Sequence, residues 1–254
     1  MKAHTSLFII CLLCLGCSSF SKAVFATTPV EIQYRIVKQY PHNPDIFTQG
    51  LEYHEGQLLE SAGKFGQSSL SLRNLDSAEI LKQVSVDKQY FAEGITQLNG
   101  RIYQLTWQSG KVFVYAADSF KLLREFTIKG EGWGLTNNGT ELIMSNGSDK
   151  LYFINPQDFT ISRSLSITHQ GRALNNINEL EWVEGNIYAN IWQTDWIVII
   201  DSLTGHVTGQ VNLQALRQPG TDVLNGIAYD HDKQTLFVTG KYWPQLYQIE
   251  LLTE

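Results

Sequence analysis

The chain has 254 residues, of which 43% are hydrophobic, 11% aromatic and only 17% charged. Its formal net charge of −6 leaves no basic stripe that could meet phosphate groups, which argues against a nucleic-acid partner. All three cysteines lie within the first 17 residues. The rest of the chain therefore offers no disulfide, no cysteine nucleophile and no cysteine-ligated metal site.

The first 26 residues are predicted to be a signal peptide. A basic residue precedes an apolar stretch from Leu7 to Gly16, which is too short to span a bilayer. Val24-Phe25-Ala26 fits a cleavage site, whereas Leu15-Gly16-Cys17 resembles a lipoprotein site. We therefore expect export to the periplasm or the medium without a membrane span, with a lipid anchor at Cys17 as the alternative. Residues 27–254 are expected to form one domain.

Five copies of a short phrase follow along this domain: FTQGLEY, FAEGITQ, GWGLTNN, NELEWVE and LNGIAYD. Aligning the copies brings one apolar anchor from each into register, at separations of 44, 40, 45 and 47 residues. The anchors are Leu51, Ile95, Leu135, Leu180 and Ile227. This period is typical of one four-stranded blade, so the sequence predicts an all-β fold, a five-bladed β-propeller.

The segments between the anchors read as strands. Arg101–Leu105, Lys111–Tyr115 and Leu123–Ile128 alternate apolar and polar residues between turns rich in Gly, Ser or Asn. The last unit, from Leu224 to Leu251, has only about three strands, while an unassigned strand from Glu31 to Gln39 precedes the first unit. We predict that this N-terminal strand completes the last blade and closes the ring without an exposed edge.

Two rings of equivalent positions emerge when the units are compared. Two residues before each anchor stand Gln49, Glu93, Trp133, Asn178 and Asn225. Twelve residues after it stand Gly63, Trp107, Gly147 and Trp192, and a two-residue insertion moves the fifth equivalent to Lys241. Because the units are related by symmetry, these positions converge at one mouth of the channel. The sequence predicts a small aromatic cup there with a single carboxylate.

Each of these residues also has a purely structural interpretation. Tryptophans pack propeller blades together, and Asn or Gln beside Gly commonly binds backbone groups at strand ends. Glu93 could be a solvated acid, and Lys241 its ion-pair partner. However, the sister units carry neutral residues where Glu93 stands, and this difference favours a chemical role for it. No i, i+4 pair of histidines and no glycine-rich turn between strand and helix occurs, which argues against catalytic zinc and nucleotide binding.

At the same positions the chain resembles a known family, the glutaminyl-peptide cyclotransferases of the plant and bacterial type. The resemblance extends from about Phe47 to Leu251. It is carried by Phe47-Thr48-Gln49-Gly50-Leu51, Phe91-x-Glu93-Gly94-Ile95-Thr96, Leu105-Thr106-Trp107, Glu131-Gly132-Trp133-Gly134-Leu135-Thr136, Asn178-Glu179-Leu180-Glu181, Ala189-Asn190-x-Trp192, Asp222-Val223-Leu224-Asn225-Gly226-Ile227-Ala228 and Val238-Thr239-Gly240-Lys241-x-Trp243-Pro244. Ala62 and Ile177 depart from the pattern without removing a functional group.

The resemblance implies an acyltransferase that acts on peptides and proteins with N-terminal glutamine. We also expect the protein to be a monomer. It would form pyroglutamate and release ammonia without a metal or other cofactor. The implied catalytic residues are Glu93, as general acid and base, and Lys241. The implied substrate-binding residues are Phe47, Gln49, Phe91, Trp107, Trp133, Asn178 and Trp192.

Two other functions are compatible with a propeller of this kind. A non-catalytic module could dock peptides or proteins at the same mouth, and it would tolerate changes at Glu93. A metal-dependent hydrolase or lactonase would need several converging carboxylates and carboxamides. Only Glu93 is acidic among the ten ring positions, which argues against the metal-dependent enzyme.

Overall fold

Residues 28–252 are described by the computed structural model, and nearly all of their regular structure is β-strand. One short 3-10 helix, Gln214–Leu216, interrupts the strands, and no helix in this range is long and apolar enough to cross a membrane. The predicted signal peptide and Cys17 lie outside the described residues.

Twenty of the strands form five four-stranded antiparallel blades. The chain opens with β1 (Val30–Glu31) and β2 (Gln33–Pro41). Blade 1 contains β3 (Thr48–His54), β4 (Gln57–Ala62), β5 (Ser69–Asn74) and β6 (Ile80–Ser85), and blade 2 contains β7 (Ala92–Leu98), β8 (Arg101–Thr106), β9 (Lys111–Ala116) and β10 (Leu122–Thr127). Blade 3 contains β11 (Leu135–Asn137), β12 (Leu142–Met144), β13 (Lys150–Ile154) and β14 (Ile161–Ser166).

The remaining strands complete the ring. A small hairpin, β15 (Thr168–His169) and β16 (Arg172–Ala173), leads to blade 4, which contains β17 (Ile177–Val183), β18 (Asn186–Ile191), β19 (Trp196–Asp201) and β20 (Val207–Asn212). Blade 5 contains β21 (Leu224–Asp230), β22 (Thr235–Gly240), β23 (Gln245–Leu252) and the N-terminal strand β2. The predicted five-bladed propeller is confirmed.

The N-terminal segment closes the ring, as the sequence predicts. β2 pairs antiparallel with β23 along its whole length, from Gln33 opposite Leu252 to Pro41 opposite Gln245. β2 begins two residues later than predicted, because the chain changes blades at Ile32. It also ends two residues later, at Pro41. The Ile32 amide donates to the Gln210 carbonyl at 2.8 Å, and β1 pairs in parallel with β20 of blade 4. The segment therefore links both of the last two blades.

Five hydrophobic clusters hold neighbouring blades together, one cluster in each seam of the ring. In the seam between blades 2 and 3, for example, Leu105 and Val112 pack against Leu142 and Ile154. The other four seams are built in the same way from the inward faces of the adjoining blades. Each fully buried aliphatic side chain contributes about 1.5–3 kcal/mol of burial free energy. Every blade thus buries both of its faces, each against one of the two neighbouring blades.

The innermost strands, β3, β7, β11, β17 and β21, contact one another in cyclic order around the central channel. Glycine permits this approach at the residue before each anchor in four of the five units. A Cβ on Gly94 would lie 2.5 Å from the Leu135 amide nitrogen, and one on Gly134 would overlap the Asn178 carbonyl. The Gly94 amide donates to the Trp133 carbonyl at 2.7 Å. The inner strand ends therefore converge on one small mouth.

The fourth unit has Glu179 in place of that glycine, and its buried carboxyl group lies among the inner strands. It accepts hydrogen bonds from the amides of Leu51 at 3.3 Å and Ile227 at 2.9 Å. Glu181 accepts from the Tyr229 amide at 2.9 Å, and Glu52 accepts from the Gln97 amide. These carboxyls satisfy inner-strand amides that face no other strand. Burial raises the pKa of all three, and that of Glu52 to about 7.

A buried network joins the end of β2 to blade 1 and to blade 5. His42 Nδ1 lies 2.7 Å from the Trp243 carbonyl oxygen, and its Nε2 lies 2.8 Å from Glu60 Oε1. Arg73 and Thr48 also donate to Glu60, at 2.8 and 2.9 Å. Because a carbonyl and a carboxylate only accept, both ring nitrogens of His42 donate. Burial alone would lower the pKa of His42, but the charge and hydrogen bond of Glu60 raise it.

Replacing His42 should weaken the closure of the ring. We expect His42→Leu to lower the free energy of unfolding by about 3–5 kcal/mol at pH 6, because it breaks a buried ion pair. A raised folded-state pKa stabilises the protein below the unfolded value of about 6.5, and this contribution is lost as pH rises through the folded value. Urea unfolding between pH 5.5 and 9 should therefore show the difference from wild type shrinking as pH rises.

The control for this measurement is Lys38→Ala. Lys38 lies on the same strand and pairs with Asp76 of blade 1 at 2.9 Å, but both side chains are exposed. The unfolding midpoint of Lys38→Ala should stay close to that of the wild type, because exposed ion pairs add little to the free energy of unfolding. A His42→Leu protein as stable as the control would contradict the role given to this network.

Candidate active site

A cavity of about 230 Å³ opens at the mouth where the inner strands converge. It is lined by Phe47, Gln49, Lys64, Phe91, Glu93, Trp107, Trp133, Asn178, Trp192 and Lys241. The structure thus brings together all nine residues that the sequence assigned to the site, and adds Lys64. We call this cavity the cup.

Three positions of the predicted rings support the cup without lining it. Gly63 leaves room for the Phe91 ring, which a Cβ there would overlap. Gly147, at φ +79°, leaves room for Trp133, whose Cη2 would lie 2.7 Å from a Cβ. Asn225 is fully buried, and its Nδ2 donates to the Thr48 carbonyl at 2.9 Å. The two glycines make space for aromatic walls, and Asn225 has a structural contact.

Irregular backbone aims the inner side chains into the cup. The register between the innermost strand and its neighbour shifts in four blades, and each shift spans the residue two before the anchor: Gln49, Glu93, Asn178 and Asn225. A bulge of this kind turns a side chain out of the regular alternation of the strand. In the remaining unit Trp133 lies just before β11. The mouth residues are therefore presented by strand ends rather than by long loops.

Glu93 lies at the base of the cup and is only 5% exposed. Burial raises the pKa of its carboxyl well above the ordinary value. The positive charge of Lys241 opposes this shift, the negative charge of Glu131 adds to it, and a hydrogen bond from Gln49 opposes it. Burial is the largest of these effects. The site therefore holds a carboxyl that keeps its proton to higher pH than an exposed glutamate does.

A chain of carboxamides orients Gln49 toward Glu93. Asn178 Nδ2 donates to Asn225 Oδ1 at 2.6 Å, and Asn225 Nδ2 lies 3.5 Å from Gln49 Oε1. With its oxygen engaged by Asn225, Gln49 presents its NH₂ group to the Glu93 carboxyl. The three carboxamides come from three different blades, so the position of the Glu93 carboxyl depends on the closed ring.

Lys241 stands in the turn after β22, is 4% exposed and acts electrostatically on Glu93. Burial lowers the pKa of Lys241 to about 8. The negative charges of Glu93 and Asp222 raise this pKa, and the positive charge of Lys64 lowers it further, but burial is the largest effect. Its Nζ lies 4.5 Å from the centroid of the Phe47 ring, and the Lys64 Nζ lies 4.3 Å from the same centroid. Lys241 therefore remains largely charged at neutral pH.

The aromatic walls meet edge to face. The ring centroids of Phe91 and Trp107 are 5.7 Å apart, and those of Trp133 and Trp192 are 5.5 Å apart. Trp192 is 37% exposed at the rim, whereas Trp243, outside the cup, is fully buried. The two interpretations of tryptophan thus apply to different residues: Trp243 packs blades together, and the three predicted tryptophans face the cavity.

Two charged residues of the site escaped the sequence analysis. Lys64 follows Gly63 in the turn after β4 and carries no repeat signal. Glu131 stands two residues before Trp133, and the spacing of the repeats assigns it no role. Its Oε2 accepts hydrogen bonds from the indole nitrogens of Trp107 and Trp133, both at 2.9 Å. The charge at Glu131 was visible, but its reach to two tryptophans was not.

The cup combines an apolar enclosure with a few polar groups at its base. A small side chain could enter between the aromatic walls, with Glu93 available to accept or donate a proton and Lys241 available to face developing negative charge. Within residues 28–252, no three His, Cys, Asp or Glu side chains are grouped so that they could hold a metal ion.

Comparison with known proteins places these features in one family. A family model described as glutamine cyclotransferase matches residues 9–251. The chain is 38% identical over 229 residues to a glutaminyl-peptide cyclotransferase from Arabidopsis thaliana, covering 86% of this chain and 71% of that protein. The crystal structure of a Myxococcus xanthus glutaminyl cyclase superposes with a TM-score of 0.82 at 35% identity, covering 88% and 98% of the two chains.

A more distant structure shares the fold alone. The WD40 domain of Neurospora crassa Pan2 superposes with a TM-score of 0.50 at 8% identity, covering 87% of this chain and 97% of that one. The matching family model, by contrast, covers nearly the whole chain, including every residue of the cup. The chain therefore belongs to the glutamine cyclotransferase family.

Proposed function

We propose that Glu93 carries the proton in the reaction of this enzyme, a glutaminyl-peptide cyclotransferase that converts N-terminal glutamine to pyroglutamate and releases ammonia. The observation that carries this proposal is a single buried carboxyl of raised pKa at the base of an aromatic cup. Peptides and proteins with N-terminal glutamine are the substrates, and the glutamine side chain occupies the cup.

The reaction closes a five-membered ring within one residue. The α-amine of the substrate attacks the carbon of its own γ-carboxamide, so the side chain must fold back on the amine. Trp107, Trp133 and Trp192 surround the space where this folded side chain would lie. Holding the reactive rotamer supplies much of the acceleration of such a reaction, because nucleophile and electrophile already belong to the same residue.

Glu93 can serve both proton transfers in turn. As the amine nitrogen forms its bond to carbon, the carbonyl electron pair moves to oxygen and the Glu93 carboxylate takes a proton from that nitrogen. Glu93 then gives the proton to the amide nitrogen, the carbon–nitrogen bond breaks, and ammonia leaves as the carbonyl re-forms. A raised pKa suits both steps, because a catalytic acid or base works best when its pKa is near the working pH.

Lys241 is placed to stabilise the oxyanion of the tetrahedral intermediate. It is buried, retains its charge at neutral pH and acts electrostatically on Glu93. A charged donor in a water-poor site stabilises developing negative charge more strongly than it would in water. In this mechanism Glu93 and Lys241 perform the chemistry, and we propose that it requires no metal ion.

Glu93→Gln should abolish ammonia release from a glutamine-initiated peptide. The variant should keep the wild-type unfolding midpoint or exceed it, because a buried carboxyl with a raised folded-state pKa costs stability above its unfolded pKa. Mass spectrometry of the peptide, with and without a chelator, measures the loss of ammonia, and urea unfolding checks the fold.

The control for this variant is Glu79→Gln, which changes an exposed acid of blade 1 and should leave turnover unchanged. Near wild-type ammonia release by Glu93→Gln would refute the role of Glu93. Peptide binding by the wild type without any ammonia release would instead identify a docking module. Loss of wild-type activity on chelation would refute a metal-free mechanism.

The pH profile should separate Glu93 from Lys241. Activity should fall at low pH as Glu93 becomes protonated, and the kcat of the wild type should fall above about pH 8 as Lys241 loses its charge. Lys241→Gln should lower kcat about a hundredfold and abolish the alkaline fall. Because the Lys241 charge opposes the raised pKa of Glu93, the acid limb should also move to higher pH.

The exposed Lys233→Gln is the control for this profile, and it should reproduce both limbs of the wild type. An alkaline limb that persists in Lys241→Gln would show that another group, such as the substrate amine, controls it.

We further propose that the protein is exported by its N-terminal segment and works as a monomer. The export proposal rests on the apolar stretch before Cys17 and on the absence of cysteine after it. All ten residues that line the cup belong to one chain, so the site is complete without a second copy. Mass analysis of the exported protein should find an N-terminus at Thr27. An N-terminal lipidated Cys17 would establish the alternative, and retention of the whole leader in the cytoplasm would contradict export.

A further inference from the structure

Glu131 stands at the rim of the cup, between β10 and β11, and touches two of its walls at once. Its Oε2 accepts from Trp107 Nε1 and from Trp133 Nε1, each at 2.9 Å, and its Oε1 accepts from Gln108 Nε2 at 3.1 Å. Trp107 follows a strand of blade 2, whereas Trp133 leads into blade 3. One carboxylate therefore connects two adjoining blades at the rim of the cavity.

We propose that Glu131 is a positioning residue for the cyclisation, in which one carboxylate oxygen sets the relative orientation of the Trp107 and Trp133 rings. The inference rests on the proposed function, because the orientation of the rings matters for catalysis only if the cup holds a folded-back glutamine. Glu131 itself is not required to touch the substrate in this role.

The hydrogen bonds to Glu131 are the polar restraint on both rings. An indole has a single donor, and for Trp107 and Trp133 that donor is engaged by the same oxygen. Trp107 also meets Phe91 edge to face, and Trp133 meets Trp192 in the same way and lies in the space left by Gly147. Hydrogen bonds to an ionised acceptor are shorter and stronger than those between neutral groups. Loss of the carboxylate would therefore let both walls change their tilt together.

Glu131 is ionised across the neutral range. Partial burial raises its pKa, but hydrogen bonds from Trp133, Gln108 and Trp107 outweigh this effect and hold the pKa below its usual value. The same negative charge acts on Glu93 and raises the Glu93 pKa, against the Lys241 charge and the Gln49 hydrogen bond. The positive charge of Lys64 lowers the pKa of Lys241 in a similar way. Glu131 thus has a geometric effect and a separable electrostatic effect.

Two substitutions separate these effects. Glu131→Gln removes the charge and offers the two indoles only one carbonyl oxygen beside a competing NH₂ group. Glu131→Asp keeps the charge but withdraws the oxygens by one methylene. The matched control is Glu125→Gln, which removes a negative charge from the neighbouring strand β10. Glu125 pairs with Lys111 at a distance of 3.0 Å and does not line the cup.

The measurements are kcat and KM for a glutamine-initiated peptide as a function of pH, and the indole N–H resonances of the ligand-free protein. Glu131→Gln should lower kcat about tenfold or more, the effect expected for losing a hydrogen bond to a charged group, with a smaller change in KM. The resonances of Trp107 and Trp133 should shift, while that of Trp243, which donates to the Asp222 carbonyl, should not.

The acid limb of the pH profile reports the electrostatic effect. It should move to lower pH in Glu131→Gln, because removal of the negative charge lowers the pKa of Glu93, and this direction is opposite to that expected for Lys241→Gln. In Glu131→Asp the acid limb should stay near its wild-type position while kcat still falls. Glu125→Gln should match the wild type in every readout.

Unchanged kcat in both Glu131 variants would overturn the proposal. A fall in kcat without any shift of the Trp107 and Trp133 resonances would overturn it as well, because Glu131 would then act by charge alone. A wild-type protein that releases no ammonia would refute the proposed function. In that case the Trp107 and Trp133 indole resonances would still test whether Glu131 orients the two rings, since they are measured without substrate.

Discussion

The close approach of the five inner strands is the constraint on which the rest of the structure depends. At Gly94 and Gly134 the backbone of one blade occupies the space that a side chain of the next would need. This contact brings five strand ends together around one mouth, and the register shifts at those ends turn their side chains inward. The seams between blades are ordinary apolar packing, but the mouth exists only because the backbones meet. A substituted glycine there would displace functional side chains on the neighbouring blade.

The electrostatics of the cup follow from that enclosure. Carboxyl and ammonium groups in the cup lie where water is scarce, so burial moves the pKa of Glu93 upward and that of Lys241 downward, toward each other. Their mutual attraction opposes both shifts, and Glu131 shifts the balance further toward a protonated Glu93. As a result, the Glu93 carboxyl is a weaker acid and the Lys241 ammonium a stronger acid than the same groups are in water. A polar, open mouth with the same residues would lack this property.

Much of the fold and of the site could be predicted because both are repeated. The five anchors recur at a blade-length period, and the odd residues within otherwise equivalent positions pointed to Glu93, Lys241 and the three tryptophans. Lys64 and Glu131 could not be found in this way, because each also reaches a residue of another unit: Lys64 lies over Tyr242 of blade 5, and Glu131 bonds to Trp107 of blade 2. The same is true of His42, whose partners lie 18 and 201 positions away. Neither could the direction of the Glu93 pKa be read from the sequence, since it depends on distances among charges of opposite effect.

The network around His42 gives the ring closure and the cup a common element. Trp243, whose carbonyl faces His42, lies two residues after Lys241, and the intervening Tyr242 amide donates to the Ile46 carbonyl just before Phe47. If the N-terminal strand detached, this short turn would lose its support on both sides while the hydrophobic seams elsewhere stayed intact. Inactivation by heat or alkali would then begin as a local and reversible opening, and residual turnover would report the state of the closure before any blade unfolded.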